Sequence, residues 1–214
     1  MAGATITEAD ILRASREIRN HRSATRRAHR LQRLLHLSKG NGALPDAKFS
    51  VVLSDPPWPF DFSASDRTRI DNHYPAMSLE EITALPVADI TAEDAALLLW
   101  SPGSKLEQAI EVINAWGFNY RTCAVWVKNR PPGLGHYWRN QHELLLLGIR
   151  GLLPAPDEGV RESSVINALR NGHSRKPSIH EMLDRYWPGL PKLEMFCRGR
   201  APKGWAIWGN ESES

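Results

Sequence analysis

Within residues 54–58 the chain runs Ser-Asp-Pro-Pro-Trp, which brings together a carboxylate, two prolines and a flat aromatic. The prolines cannot donate a backbone N–H or extend a sheet or helix, but their carbonyls still accept and their φ angles are fixed. Such a run suits a planar ring that carries an exocyclic amine. Asp55 and the Pro56 carbonyl can each take one N–H of the amine, while Trp58 covers the ring face. The same tetrapeptide also serves as an ordinary strand-ending turn, and by itself it does not separate the two uses.

A second set of groups lies near the other end of the chain. Lys176, in His173-Ser174-Arg175-Lys176-Pro177, precedes a helical pattern, where its cation suits an amino-acid carboxylate. A strand pattern over Lys192–Cys197 then leads through a turn at Gly199 into a strand that ends at Gly209-Asn210-Glu211. In doubly wound folds the first strand's end meets a nucleoside cofactor, and an acid at the next strand's end takes the ribose hydroxyls. Glu211 stands at that distance. A G-x-G-x-x-G loop is missing, so a pyrophosphate cradle is not indicated. A ribose-bearing cofactor without phosphates, such as S-adenosylmethionine, suits these residues better.

The elements that must position both sets alternate strand and helix, which predicts a largely parallel sheet covered on both faces. Val51, Val52 and Leu53 form the apolar run of a strand buried on both sides, within a strand read over Phe49–Leu53. A short helix over Leu79–Ala84 is entered from Ser78, with Glu80 and Glu81 in its first turn. Strands are expected at Ala95–Trp100, Tyr120–Lys128, Leu144–Ile149, Lys192–Cys197 and Trp205–Trp208. Helices are expected at Lys105–Trp116, closed by Gly117, and at Ile179–Tyr186, stopped by Trp187-Pro188-Gly189.

Composition sets the class. With 214 residues, 42% hydrophobic and 24% charged, the chain can bury one α/β domain and carry an appendage. Two cysteines, Cys123 and Cys197, are too few for a disulfide framework or a cysteine zinc site, and the histidines lack ligand spacing. A metal-free cytoplasmic protein is the expectation, with no signal peptide and no membrane span. Residues 1–46 hold nine basic and four acidic side chains, a balance of +5, so the remainder of the +3 chain carries −2. That basic segment reads as helical from Thr7 to about Leu37, with Arg19, Arg22, Arg26, Arg30 and Arg33 on one stripe, and Ser38–Gly42 as linker. The stripe suits phosphates, but a solvated or partner-binding face has the same appearance. Residues 1–40 are therefore read as a basic helical extension and 41–214 as the catalytic domain.

The order of these motifs resembles the β-class, Asp-Pro-Pro-Trp N6-adenine methyltransferases, the bacterial and phage relatives of the catalytic subunit of the eukaryotic mRNA N6-adenosine methyltransferase. The likeness runs from about Phe49 to Glu211. It is carried by Asp55-Pro56-Pro57-Trp58, Tyr74-Pro75-x-Met77-Ser78, Trp126-Val127-Lys128, Gly135-x-x-Trp138-Arg139, Glu143, His173-Ser174-x-Lys176-Pro177, Glu194-x-Phe196-x-Arg198 and Trp208-Gly209-Asn210-Glu211. The resemblance implies a Rossmann-like sheet with permuted motif order, the target-amine motif preceding the cofactor strand. It implies S-adenosyl-L-methionine as cofactor and no metal.

Position by position, the resemblance makes Asp55, Pro56, Pro57 and Trp58 the catalytic run, with Asp55 also contacting the cofactor's methionyl amine. It puts Tyr74 and Glu143 beside the target base. Lys176 and Arg198 would hold the methionine carboxylate region, and Asn210 and Glu211 the ribose. Arg200 stands where the mRNA enzyme has a histidine, in a turn one residue shorter, and Glu211 replaces an amide. The implied activity is transfer of a methyl group to N6 of adenine in nucleic acid, with DNA favoured over RNA. An RNA enzyme, a cytosine N4 enzyme and a non-catalytic nucleic-acid-binding subunit are the alternatives. Assembly as a homodimer or with a partner subunit is compatible with each. Loops at 61–73, with Arg67 and Arg69, and at 129–137 are the expected contacts to nucleic acid.

Overall fold

The computed structural model describes residues 44–59, 76–128, 137–168, 176–199, 202–209 and 211–212, with 198–199 and 211–212 described by their backbone. The expected basic helix, its linker, and Tyr74, Arg67, Arg69, Arg200 and Asn210 lie outside the described residues. The chain divides into two units at residues 1–43 and 44–214, and the sheet lies in the second.

Inside the sheet runs β1 (Phe49–Ser54), flanked by β2 (Thr91–Ser101) on one side and β6 (Lys192–Met195) on the other, both parallel to it. Val51, Val52, Leu53 and Ser54 are all buried, as expected of a strand covered on both faces. Beyond β6 lies β8 (Trp205–Trp208), again parallel. Beyond β2 come β4 (His142–Arg150), β3 (Asn119–Lys128) and β5 (Val165–Ala168), giving the order β5-β3-β4-β2-β1-β6-β8. β4 pairs antiparallel with both its neighbours, and every other pairing in this sheet is parallel.

Alternation along each strand sends side chains to the two faces. One face gathers Val51, Leu53, Leu98, Trp100, Trp126 and Leu145 beneath a helix, α3 (His180–Tyr186), which contributes Leu183. The opposite face packs against α2 (Leu106–Ala115), whose Ala109, Val112 and Ile113 are fully buried. Approach there is close: a Cβ on Gly148 of β4 would lie 3.0 Å from both Ile113 and Phe118. Gly117, at φ +82°, ends α2 in the left-handed conformation that glycine adopts without strain. The Trp116 indole then donates to the Ile82 carbonyl at 3.0 Å, tying α2 to α1 (Leu79–Thr83).

Helix α1 begins at a capping box. The Ser78 hydroxyl accepts from the Glu81 N–H at 3.2 Å, and the Glu81 carboxylate accepts from the Ser78 N–H at 2.7 Å. Glu81 thus has a more specific task than the first-turn charge expected of it. Two features carry no clear signal in the sequence: β5, and a small parallel pair of β7 (Arg198–Gly199) with β9 (Glu211–Ser212). Strand β2 also starts earlier and β6 ends earlier than expected. Among the described residues no helix is long and apolar enough to cross a membrane.

Candidate active site

Parallel strands deliver their carboxyl ends to one edge of the sheet, and β1 lies where neighbours diverge on either side, the place where such folds bind ligands. Asp55 is the first residue past β1. Its side chain is about two-fifths exposed, at 40%. The prolines then fold tightly. The Pro56 carbonyl accepts the Trp58 N–H at 2.9 Å across Pro57, a two-residue closure compatible with a proline's fixed φ. The Pro57 carbonyl accepts the Met77 N–H, also at 2.9 Å. One lone pair of Pro56 is therefore already engaged and one remains for a ligand.

Trp58 differs from its expected form. Its ring is buried, at 5% exposure, and its indole N–H donates to the Trp100 carbonyl at 3.0 Å. An indole in that position braces the Asp-Pro-Pro turn against the end of β2 and offers little free face. The physical reason is the large apolar area of tryptophan, which is drawn into the core wherever its N–H can find an acceptor.

Glu143 and Lys176 come to the same edge from different directions. Glu143 stands opposite Trp126 across the β3–β4 ladder, and Lys128 is diagonal to it on the same face. Lys128 makes an ion pair with one Glu143 oxygen. Lys176 sits 3.3 Å from the other and pairs with Asp55 as well. Each lysine nitrogen lies 5.4 Å from an indole centre, Lys176 over Trp100 and Lys128 over Trp126. Burial pushes the Glu143 carboxyl up, but the Lys176 charge and the Lys128 hydrogen bond and charge outweigh it, and the group ends below the usual carboxylate range. The structure thus brings Asp55, Glu143 and Lys176 together, with Lys128 added. Lys128 was only a landmark in the sequence, because its function depends on a cross-strand neighbour.

The residues expected to hold the cofactor are adjacent. Strand β6 runs beside β1, and after it Phe196 takes φ +60°, a conformation uncommon for a residue with a side chain. The Cys197 N–H then bonds the Trp208 carbonyl at 3.2 Å, and Arg198 pairs by backbone with Glu211. A Cβ on Gly209 would fall 2.7 Å from the Cys197 backbone, so only glycine lets these two strand ends approach so closely. Two of the expected cofactor residues, 198 and 211, are therefore backbone neighbours at the same sheet edge as Asp55.

One further cluster had no signal in the sequence. His180 of α3 meets Glu194 of β6 at 2.9 Å and stands edge-on to Trp205, with ring centres 4.6 Å apart. Burial, followed by the charge and hydrogen bond of Glu194, pushes the Cys197 thiol up to about 12.

Known proteins are similar to this chain over the same residues. The family model described as MT-A70 matches residues 49–211. The Type II methyltransferase M.MunI of Mycoplasma sp is 31% identical over 189 residues, covering 78% of this chain and 79% of that protein. The human N(6)-adenosine-methyltransferase catalytic subunit METTL3 is 26% identical over 172 residues, covering 77% of this chain and 28% of its own length. The N(6)-adenosine-methyltransferase MT-A70-like protein of Arabidopsis thaliana is 28% identical over 171 residues, covering 76% and 24%. The chain spans about a quarter of the length of these eukaryotic relatives and most of the bacterial one. With the Asp-Pro-Pro-Trp turn at the carboxyl end of β1, a family match that runs over residues 49–211 and a bacterial relative covered over most of its length make the chain a member of the MT-A70 methyltransferase family.

Proposed function

We propose that the protein transfers the methyl group of S-adenosylmethionine to the exocyclic N6 amine of adenine in DNA. The observation that carries this reading is the half-exposed Asp55 carboxylate at the end of β1, with the strand ends of the cofactor motif beside it.

The donor set fits such a cofactor. A carboxylate at Asp55 suits an α-amino group, the Lys176 and Arg198 cations suit a carboxylate, and Glu211 suits ribose hydroxyls. Asn210 and Arg200 complete the expected set. Bound there, S-adenosylmethionine supplies an electrophilic methyl group. The protein's own residues handle the acceptor. The N6 lone pair of adenine is delocalised into the ring and is a poor nucleophile. Hydrogen bonds from N6–H to Asp55 and to the free lone pair of Pro56 localise electron density on nitrogen and fix its direction. Catalysis of this kind depends on position and electrostatics rather than on a strong base. Tyr74 and Glu143 line the base side. Trp58 holds the turn rigid, so that Asp55 is already in place when the base arrives. In a duplex the adenine must leave the stack, at a cost of about a few kcal/mol.

Coverage of most of a bacterial Type II methyltransferase supports DNA over RNA as substrate. Incubation with labelled S-adenosylmethionine and single-stranded DNA, duplex DNA or RNA, followed by nucleoside analysis, tests the proposal. N6-methyladenine in DNA is the expected product. Methylated cytosine, or label in RNA alone, would assign a different substrate. S-adenosylmethionine that binds without transfer to any of the three would mark a non-catalytic subunit. In the Asp55→Ala protein transfer should be abolished while the thermal midpoint stays close to wild type.

A further inference from the structure

Four side chains of alternating charge form one line at the sheet edge: Lys128, Glu143, Lys176 and Asp55. They come from β3, β4, the segment before α3, and the end of β1. Lys128, Glu143 and Lys176 have side-chain exposures of 20%, 17% and 16%, against 40% for Asp55, so Asp55 is the member of the line most open to solvent. An ammonium held between two carboxylates must divide itself between them. Where it rests decides how much of its charge Asp55 carries.

This division bears on the acceptor. With Lys176 against Asp55, one oxygen is engaged and the field of the cation weakens both as acceptors for an incoming N–H. Glu143, 3.3 Å from the same nitrogen, is a second resting place that a change of lysine rotamer can favour. Lys128 sets the strength of that alternative. By pairing with Glu143 it neutralises part of the pull on Lys176. The two inner groups thus act on Asp55 in opposite senses.

We propose that Lys176 is a two-position cation, resting on Asp55 while the amine pocket is empty and withdrawing to Glu143 when adenine takes the Asp55 oxygen, and that Lys128 and Glu143 are positioning residues that set this balance. The proposal rests on the reading of Asp55 as the amine acceptor. It gives Lys128 a role in substrate engagement although Lys128 does not touch Asp55 itself. It also makes Lys176 a group that serves the target amine as well as the cofactor carboxylate.

Opposite effects are the distinguishing consequence. Glu143→Gln removes the second resting place without changing shape, so Lys176 stays on Asp55 and KM for the DNA should rise by roughly tenfold. Lys128→Met frees Glu143 to draw Lys176 away, so KM should fall by roughly threefold. In both variants kcat should change much less than KM. A structural defect would raise KM or lower kcat in both, and KM values moving in the same direction, or not moving, would overturn the proposal. Should either variant fail to fold, Glu143→Met or Lys128→Gln takes its place, with the same opposite shifts in KM expected. Failure of the wild-type protein to methylate adenine at all would defeat the Asp55 reading together with this one, and is seen before any variant is compared.

Discussion

A buried indole N–H without an acceptor is costly, and Trp58 commits its one donor to the Trp100 carbonyl. Trp58→Phe keeps an aromatic ring in the core and removes the indole bond to that carbonyl. A loss of about 1–3 kcal/mol is expected in denaturant unfolding, with S-adenosylmethionine affinity retained. If Trp58 were instead an open stacking face, the same change would leave stability untouched. Cys197 makes a second residue-scale prediction. Its folded-state value is raised to about 12, whereas an unfolded thiol titrates near about 8.5. The folded state therefore holds a proton that the unfolded state releases. Its contribution is fully present below about pH 8.5 and declines as pH rises toward about 12, because there the unfolded state binds fewer protons. Native protein should resist thiol reagents at neutral pH, and a mass shift at Cys197 under native conditions would contradict this.

Among the elements, α2 approaches the sheet closely at Gly148, which has no side chain. Gly148→Ala places a methyl at 3.0 Å from Ile113 and Phe118, which are themselves packed. A destabilisation of about 1–3 kcal/mol is expected from overpacking, measurable as a lower denaturant midpoint with an unchanged slope. Ser78→Ala removes the hydroxyl acceptor of the α1 capping box and should cost about 1 kcal/mol. These elements also show what a sequence reveals. Val51–Leu53 reads as a buried strand because apolar β-branched residues on both faces leave no other use for them. The Ser78 cap and the Gly117 stop are equally local, and both elements are where they were expected. Strand β5 was not visible. Its four residues alternate between exposed and half-buried, and pairing with β3 alone makes them a strand.

For the whole molecule, the chain divides into units at residues 1–43 and 44–214, and the sheet lies in the second. A chain that begins at Leu44 should therefore keep the thermal midpoint of the full-length protein within a few degrees. If the basic stripe grips phosphates, the shortened chain should also lose part of the salt dependence of DNA binding. A collapse in thermal midpoint would mean that the two units stabilise one another. The permuted order has its own consequence at this scale. The motifs expected to hold the target amine and the cofactor lie far apart in the sequence and come to one sheet edge because β6 pairs beside β1.

Sequence alone determined the chemical inventory: a carboxylate locked to two prolines, a lysine ahead of a helix, and a glycine-bounded acid at a strand end. Residue type and short-range spacing suffice for that, since proline geometry, strand alternation and helix capping act within a few positions. Tertiary structure decided the couplings. Lys176 meets Asp55 across 121 residues, Lys128 meets Glu143 only through antiparallel pairing of β3 and β4, and Trp58 turned out to be a brace. Contacts of this kind depend on sheet order and register, and those are fixed by burial across the whole domain rather than by any local pattern.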